Sequence, residues 1–285
     1  MKFHFGMAAL LGVASLVACD VEETPQAGTF RLYFDNRVGE DEVTLREAGS
    51  QEYDYTTADG QQFNLSTFRY YLGKVILTGP DGAYFEDEIK VSAEGTEGYY
   101  LVNEADPSTH TILLEDVPAG NYNAVQFIIG VDESAVTEGA AGGILDPAAG
   151  AWFWNWNSGY IAFGLEGNAL NSGQEYVDWG GGITTPAGTI SYHIGGWKDV
   201  AENENFVNNI QTVSLDFGTT VAAGDDLTPM VHMVVDALKV LNNTQVNFET
   251  TYVVHSPRAG KPFADNLPAM FTIQHVHQST GSEGH

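Results

Sequence analysis

The chain has 285 residues, with 38 acidic side chains against 11 Lys and Arg, a formal net charge of -27. That charge sets it against nucleic acid and anionic membrane surfaces, which repel it; cations and basic partners remain open, although acidity also serves plain solubility. A lone cysteine, Cys19, excludes an internal disulfide, and a chain this long can bury a sizeable core without one.

A single basic residue, Lys2, precedes an uncharged apolar stretch from Phe3 to Val17. The run is too short to span a bilayer and reads as the h-region of a signal peptide, residues 1–18. Leu16-Val17-Ala18-Cys19 has the form of a lipobox, so Cys19 is expected to carry lipid after cleavage. Acylation also removes the oddity of a free thiol in an exported protein. Residues 19–28, rich in acid, Thr, Pro and Gln, have nothing to bury and read as a flexible tether. Residues 29–285 are then one domain in the cell envelope, held to the outer membrane by lipid alone, on its periplasmic or surface face.

The domain reads as all-β. Thr29 to Phe34 alternates, with Phe30, Leu32 and Phe34 on one face. Phe68 to Leu77, Gly98 to Val102, Thr111 to Leu114 and Ala124 to Ile129 follow, the last entered through the turn Pro118-Ala119-Gly120-Asn121. Gly159 to Leu165, Thr189 to Ile194, Thr212 to Phe217, Met230 to Val235, Thr250 to Val254 and Met270 to Val276 complete the strands, and Val235 to Leu241 is a short helical possibility. Many short strands with Gly-rich turns predict an antiparallel β-sandwich or barrel-like domain. The long Gly-rich loops are Glu133 to Trp152 and Leu170 to Pro186; loops of that length in a compact domain are usually functional or disordered.

Reaction motifs are absent from the sequence: there is no Gly-x-Ser-x-Gly elbow, no P-loop and no His-Glu-x-x-His. The expectation is therefore a binding protein and not an enzyme. Four histidines fall on predicted strands: His193, His232, His275 and His277. Strand alternation puts His275 and His277 on one face, the face of Phe271 and Ile273, where two imidazoles can meet one ion and another strand can supply a third. A strand histidine is more often a packed or surface residue than a ligand, and His110 and His285 read as loop and tail residues. The block Trp152-Phe153-Trp154-Asn155-Trp156 holds three of the five tryptophans. Alternation predicts a shared face for Trp152, Trp154 and Trp156, either as core packing or as one wall of a pocket.

Several blocks follow one another in a distinctive order. They are Phe63 to Leu77 (FNLSTFRYYLGKVIL), Tyr100-Leu101-Val102, Val117 to Tyr122, Phe127 to Asp132 (FIIGVD) and Leu145-Asp146-Pro147. Trp154 to Tyr160 leading to Leu165-Glu166-Gly167 comes next, and Tyr192-His193-Ile194-Gly195-Gly196 closes the series. Together they resemble the MbnP-like copper-associated proteins of bacterial envelopes. The resemblance implies a β-rich protein that binds one copper ion through histidines. It also implies a tryptophan oxidised to kynurenine by a partner di-haem enzyme of the MauG type. His193 is carried over as a ligand, and Trp154 and Trp156 are both candidates for oxidation; His232, His275 and His277 come from the strand reading alone. Two departures touch the copper site. Tyr100 stands where many members have histidine, and Gly150-Ala151-Trp152-Phe153 differs from the family's Gly-Met pattern. The competing reading is a surface adhesin or ligand-capture sandwich without a metal, its Gly-rich loops and aromatics meeting a glycan or protein.

Overall fold

A computed structural model of the chain describes residues 26–224 and 227–278. The signal peptide, Cys19 and most of the tether lie outside those residues, as does His285.

The strands that build the domain are β1 (Gly28–Val38), β2 (Thr67–Thr78), β3 (Tyr99–Asn103), β4 (Thr111–Val117), β5 (Gly120–Ile129) and β6 (Phe153–Asn155). They continue with β7 (Gly159–Asn168), β8 (Thr189–Gly195), β9 (Gln211–Ala223), β10 (Met230–Asp236), β11 (Val253–Val254) and β12 (Phe271–His277). Among the described residues, one sheet has the order β4-β1-β10-β12, and a larger one has the order β9-β5-β2-β7-β8-β11, with β3 also paired to β2 and β6 to β7. Both sheets are open, so the domain is an all-β sandwich and not a barrel. Two pairs depart from the antiparallel expectation: β1 runs parallel to β10 and β8 parallel to β11. Each joins strands separated by a long excursion of chain, the condition under which parallel pairing becomes possible.

Alternation places the core between the sheets. Along β1 the even-numbered residues Phe30, Leu32 and Phe34 are fully buried. Opposite them stand Phe68 and Tyr70 of β2, Phe127 of β5, Phe163 and Leu165 of β7, and Tyr192 and Ile194 of β8. Phe34 meets Tyr70, Phe127 and Phe271 edge-on, with centroids 6.3–6.4 Å apart, which locks the two layers together. Each such buried aromatic contributes about 1.5–3 kcal/mol through area removed from water. The helical possibility is realised slightly later in the chain, as α1 (Ala237–Asn243), because Asp236 ends β10 and its carboxylate caps the helix by accepting from Leu238 N–H. A second helix, α2 (Pro257–Ala264), capped by Ser256, has no counterpart in the sequence reading. Its short length and internal Pro262 hide the helical pattern. No helix among the described residues is long and apolar enough to cross a membrane.

Candidate metal centres

The outer face of the large sheet carries one constellation. Gly164 of β7 is paired with Arg69 of β2 on one side and His193 of β8 on the other. In the next row outward from Gly164, Glu166 is paired with Thr67 and Ser191. Tyr192 and Ile194 point into the core, so His193 points out of the sheet. The bare backbone of Gly164 lets the Trp152 ring approach the strand closely; a Cβ there would stand 2.4 Å from that ring. Trp152 is thereby held between the Arg69 guanidinium, 4.6 Å from its centroid, and the His193 ring at 4.8 Å.

A further histidine, His255, completes the group. The parallel pairing of Ser191 with Val253 and Tyr192 with Val254 carries on in direction to set His255 beside His193. Just beyond, Asn209, itself fully buried, donates from Nδ2 both to the Gly195 carbonyl at 2.6 Å and to the Pro257 carbonyl at 2.7 Å. That double bond clamps the end of β8 to the start of α2, two residues from each histidine. His255 is not marked by the sequence: it sits one residue past a predicted strand end, and nothing local announces a parallel partner about sixty residues away.

The side chains form a continuous hydrogen-bonded chain. Trp154 Nε1–H donates to His255 Nε2 at 3.1 Å, the two histidine Nδ1 atoms lie 2.8 Å apart, and His193 Nε2 is 2.7 Å from Glu166 Oε1. Thr67 Oγ1 donates to the other Glu166 oxygen at 3.1 Å. Indole is a donor only, so His255 Nε2 must accept. With both rings neutral, the His255 proton then sits on Nδ1 and is donated to His193 Nδ1, and His193 donates from Nε2 to the carboxylate. The hydrogen bond from His193 holds the Glu166 carboxyl below the ordinary range, against its burial. Burial, and then the neighbouring His193, push His255 below the usual imidazole value, which favours its neutral form.

The predicted common face of Trp152, Trp154 and Trp156 holds for the first two only. Strand β6 is three residues long, and Asn155 closes a turn through its side-chain oxygen, which accepts from the N–H groups of Asn157 and Ser158. Trp156 is therefore turned aside against Phe153, centroids 4.8 Å apart, and remains 48% exposed. Of the two tryptophans named for oxidation, Trp154 touches a histidine. Tyr100, at the position of the expected histidine, gives its hydroxyl to Asp87 at 2.7 Å.

The other three strand histidines lie on the smaller sheet, apart from His193. His232 of β10 is paired across the strands with His275 of β12. Their rings stack at 4.2 Å, and His277 stands edge-on to both, at 5.0 Å from His232 and 4.6 Å from His275. The expectation that His275 and His277 share the face of Phe271 and Ile273 is overturned. A β-bulge at Gln274 shifts the register between Ile273 and His275. Phe271, Ile273 and Val276 face the core, and the histidines face solvent on the opposite side. Desolvation, and then His275 and His277, lower the His232 pKa from its usual value.

Comparison with known proteins bears on the family. No curated protein matches the chain. Among solved structures, the chain is similar to MbnP from Methylosinus trichosporium at 12% identity, covering 90% of this chain and all of that one, with a TM-score of 0.48. The MbnP family model matches residues 27–256, which span both strands of the His193–His255 pair and the tryptophan block. The chain therefore belongs to the MbnP family.

Proposed function

We propose that the protein is an envelope lipoprotein, anchored through Cys19, that binds one copper ion between His193 and His255, beside a tryptophan that a partner di-haem enzyme oxidises to kynurenine. The supporting observation is the 2.8 Å approach of the two Nδ1 atoms on the outer face of the sheet. The donor set suits copper: two neutral imidazoles, with Glu166 behind one of them to orient the ring and raise its basicity. Copper supplies a Lewis-acid or redox centre there; the role advanced for the chain is binding, not turnover. An ion held by both Nδ1 atoms would require the single proton of neutral His255 to move from Nδ1 to Nε2, where that nitrogen could no longer accept from Trp154.

Trp154 is the residue assigned to oxidation, since it is bonded to a prospective ligand while Trp156 is turned away. Opening the indole C2=C3 bond takes two oxygen atoms, which two molecules of peroxide supply at the haem partner with water as the by-product. Hydrolysis of the formamide then releases formate and leaves an aniline and a ketone. The aniline nitrogen, which descends from the indole Nε1, still donates, and the ketone adds an acceptor that the indole lacked.

Elemental analysis and intact mass of the mature chain from its native host provide the test. One copper per chain is expected, with a gain of two oxygens less one carbon monoxide mapped to the Trp154 peptide. His193→Ala with His255→Ala is expected to weaken copper binding more than about 100-fold, since second-shell changes alone cost 10–100-fold. Native protein that stays metal-free after copper loading would overturn the assignment and favour a metal-free binding module.

A further inference from the structure

The structure assigns a second, separate metal site to His232, His275 and His277, one that takes a divalent transition ion of the zinc type on the outer face of the smaller sheet. It goes beyond the copper reading: His275 and His277 lie past residue 256, where the family match ends, and all three histidines stand on β10 and β12, away from the strands that carry His193 and His255.

Three ligand nitrogens, one per ring, lie within 4.8 Å of one another. Zinc–imidazole bonds of about 2.0–2.1 Å fit inside such a triangle with small rotations of the rings. The donors are all imidazole, which selects zinc, copper or nickel over calcium and magnesium. Three protein ligands on an exposed face leave a fourth position to water.

The convergence is built by the fold. The bulge at Gln274 turns the two β12 histidines outward together, and their Nε2 atoms already lie 3.0 Å apart. His232 is fixed against them by cross-strand pairing and by Tyr33, whose ring is 5.0 Å away. Immediately after His277, Gln278 pairs its amide with the backbone of Ala222, accepting from N–H at 2.7 Å and donating to the carbonyl at 2.9 Å. The end of β12 is thus tied to β9 beside the cluster and does not fray as an unattached tail would.

His232 separates a built site from a tag-like His-x-His pair. The experiment is a zinc titration of the mature chain carrying His193→Ala and His255→Ala, so that the outcome at the copper centre has no influence. One equivalent of zinc is expected to bind. Adding His232→Ala is expected to weaken it more than about 100-fold, and His275→Gln or His277→Gln to do the same, with circular dichroism unchanged because all three side chains face outward. Cobalt in place of zinc gives a second readout, a low-coordinate visible spectrum that His232→Ala abolishes. Zinc affinity that survives His232→Ala, or no binding in the parent, would overturn the site.

Discussion

The two histidine groups differ in how their protons are accounted for. In the pair on the large sheet, the indole donor of Trp154 at one end and the Glu166 carboxylate at the other fix which nitrogen carries each proton. In the trio on the smaller sheet the rings meet chiefly one another and Tyr33, and among the described residues no carboxylate is hydrogen-bonded to any of them as Glu166 is to His193. A metal entering the pair must rearrange a satisfied network; one entering the trio meets outward-facing rings. The pair should therefore depend on its surroundings and the trio chiefly on its own three side chains.

The largest expected separation comes from Gly164→Val. The new side chain meets the Trp152 ring, which a Cβ alone would approach to 2.4 Å. Overpacking of this kind costs about 1–3 kcal/mol in chemical denaturation, and the displaced indole disturbs His193. Copper affinity at the pair should fall while zinc affinity at the trio stays unchanged; equal losses at both would mean that the two groups are coupled through the fold and not independent.

Next in size is Glu166→Gln. The amide preserves shape but removes the charge that His193 Nε2–H faces at 2.7 Å. A copper affinity loss of about 10–100-fold is expected, as for other second-shell changes, again with zinc binding unaffected. An unchanged copper affinity would show that Glu166 serves the strand ladder and not the metal.

The legibility of these two groups in the sequence was uneven for physical reasons. The strands carrying Phe30 to Phe34 and Thr189 to Ile194 are legible because one face is buried and alternation is strict, and Phe68 to Leu77 because it is a run of aromatic and aliphatic residues buried on both faces in part. His193 stood out within such a strand. His255 did not, because its position is decided by a two-residue parallel pairing and by Asn209 clamping α2 to β8. Glu166 lies within Leu165-Glu166-Gly167 with nothing local to mark a role, since only cross-strand register reveals which side chain it faces. The sequence reading grouped His232, His275 and His277 with His193, which the structure places on the other sheet, and it put His275 and His277 on the wrong face. One unpaired residue, Gln274, reverses every side chain after it, and no local pattern marks a bulge of that kind.

The smallest expected effect carries the most specific sign. Trp154→Phe keeps a ring beside His255, where the two centroids are now 5.7 Å apart, and deletes the indole N–H. A neutral hydrogen bond contributes about 0.5–1.5 kcal/mol, with the lower end expected for a group partly open to water. The same deletion frees His255 Nε2 from its obligation to accept. The ring can then hold its proton on Nε2 and offer Nδ1 to a metal, giving up only its hydrogen bond to His193. Stability should fall slightly while copper affinity of the unoxidised protein rises several-fold, a combination that loss of packing does not produce. Copper affinity that falls along with stability would mean that Trp154 supports the ligand directly, and that the indole N–H is not what holds the pair closed.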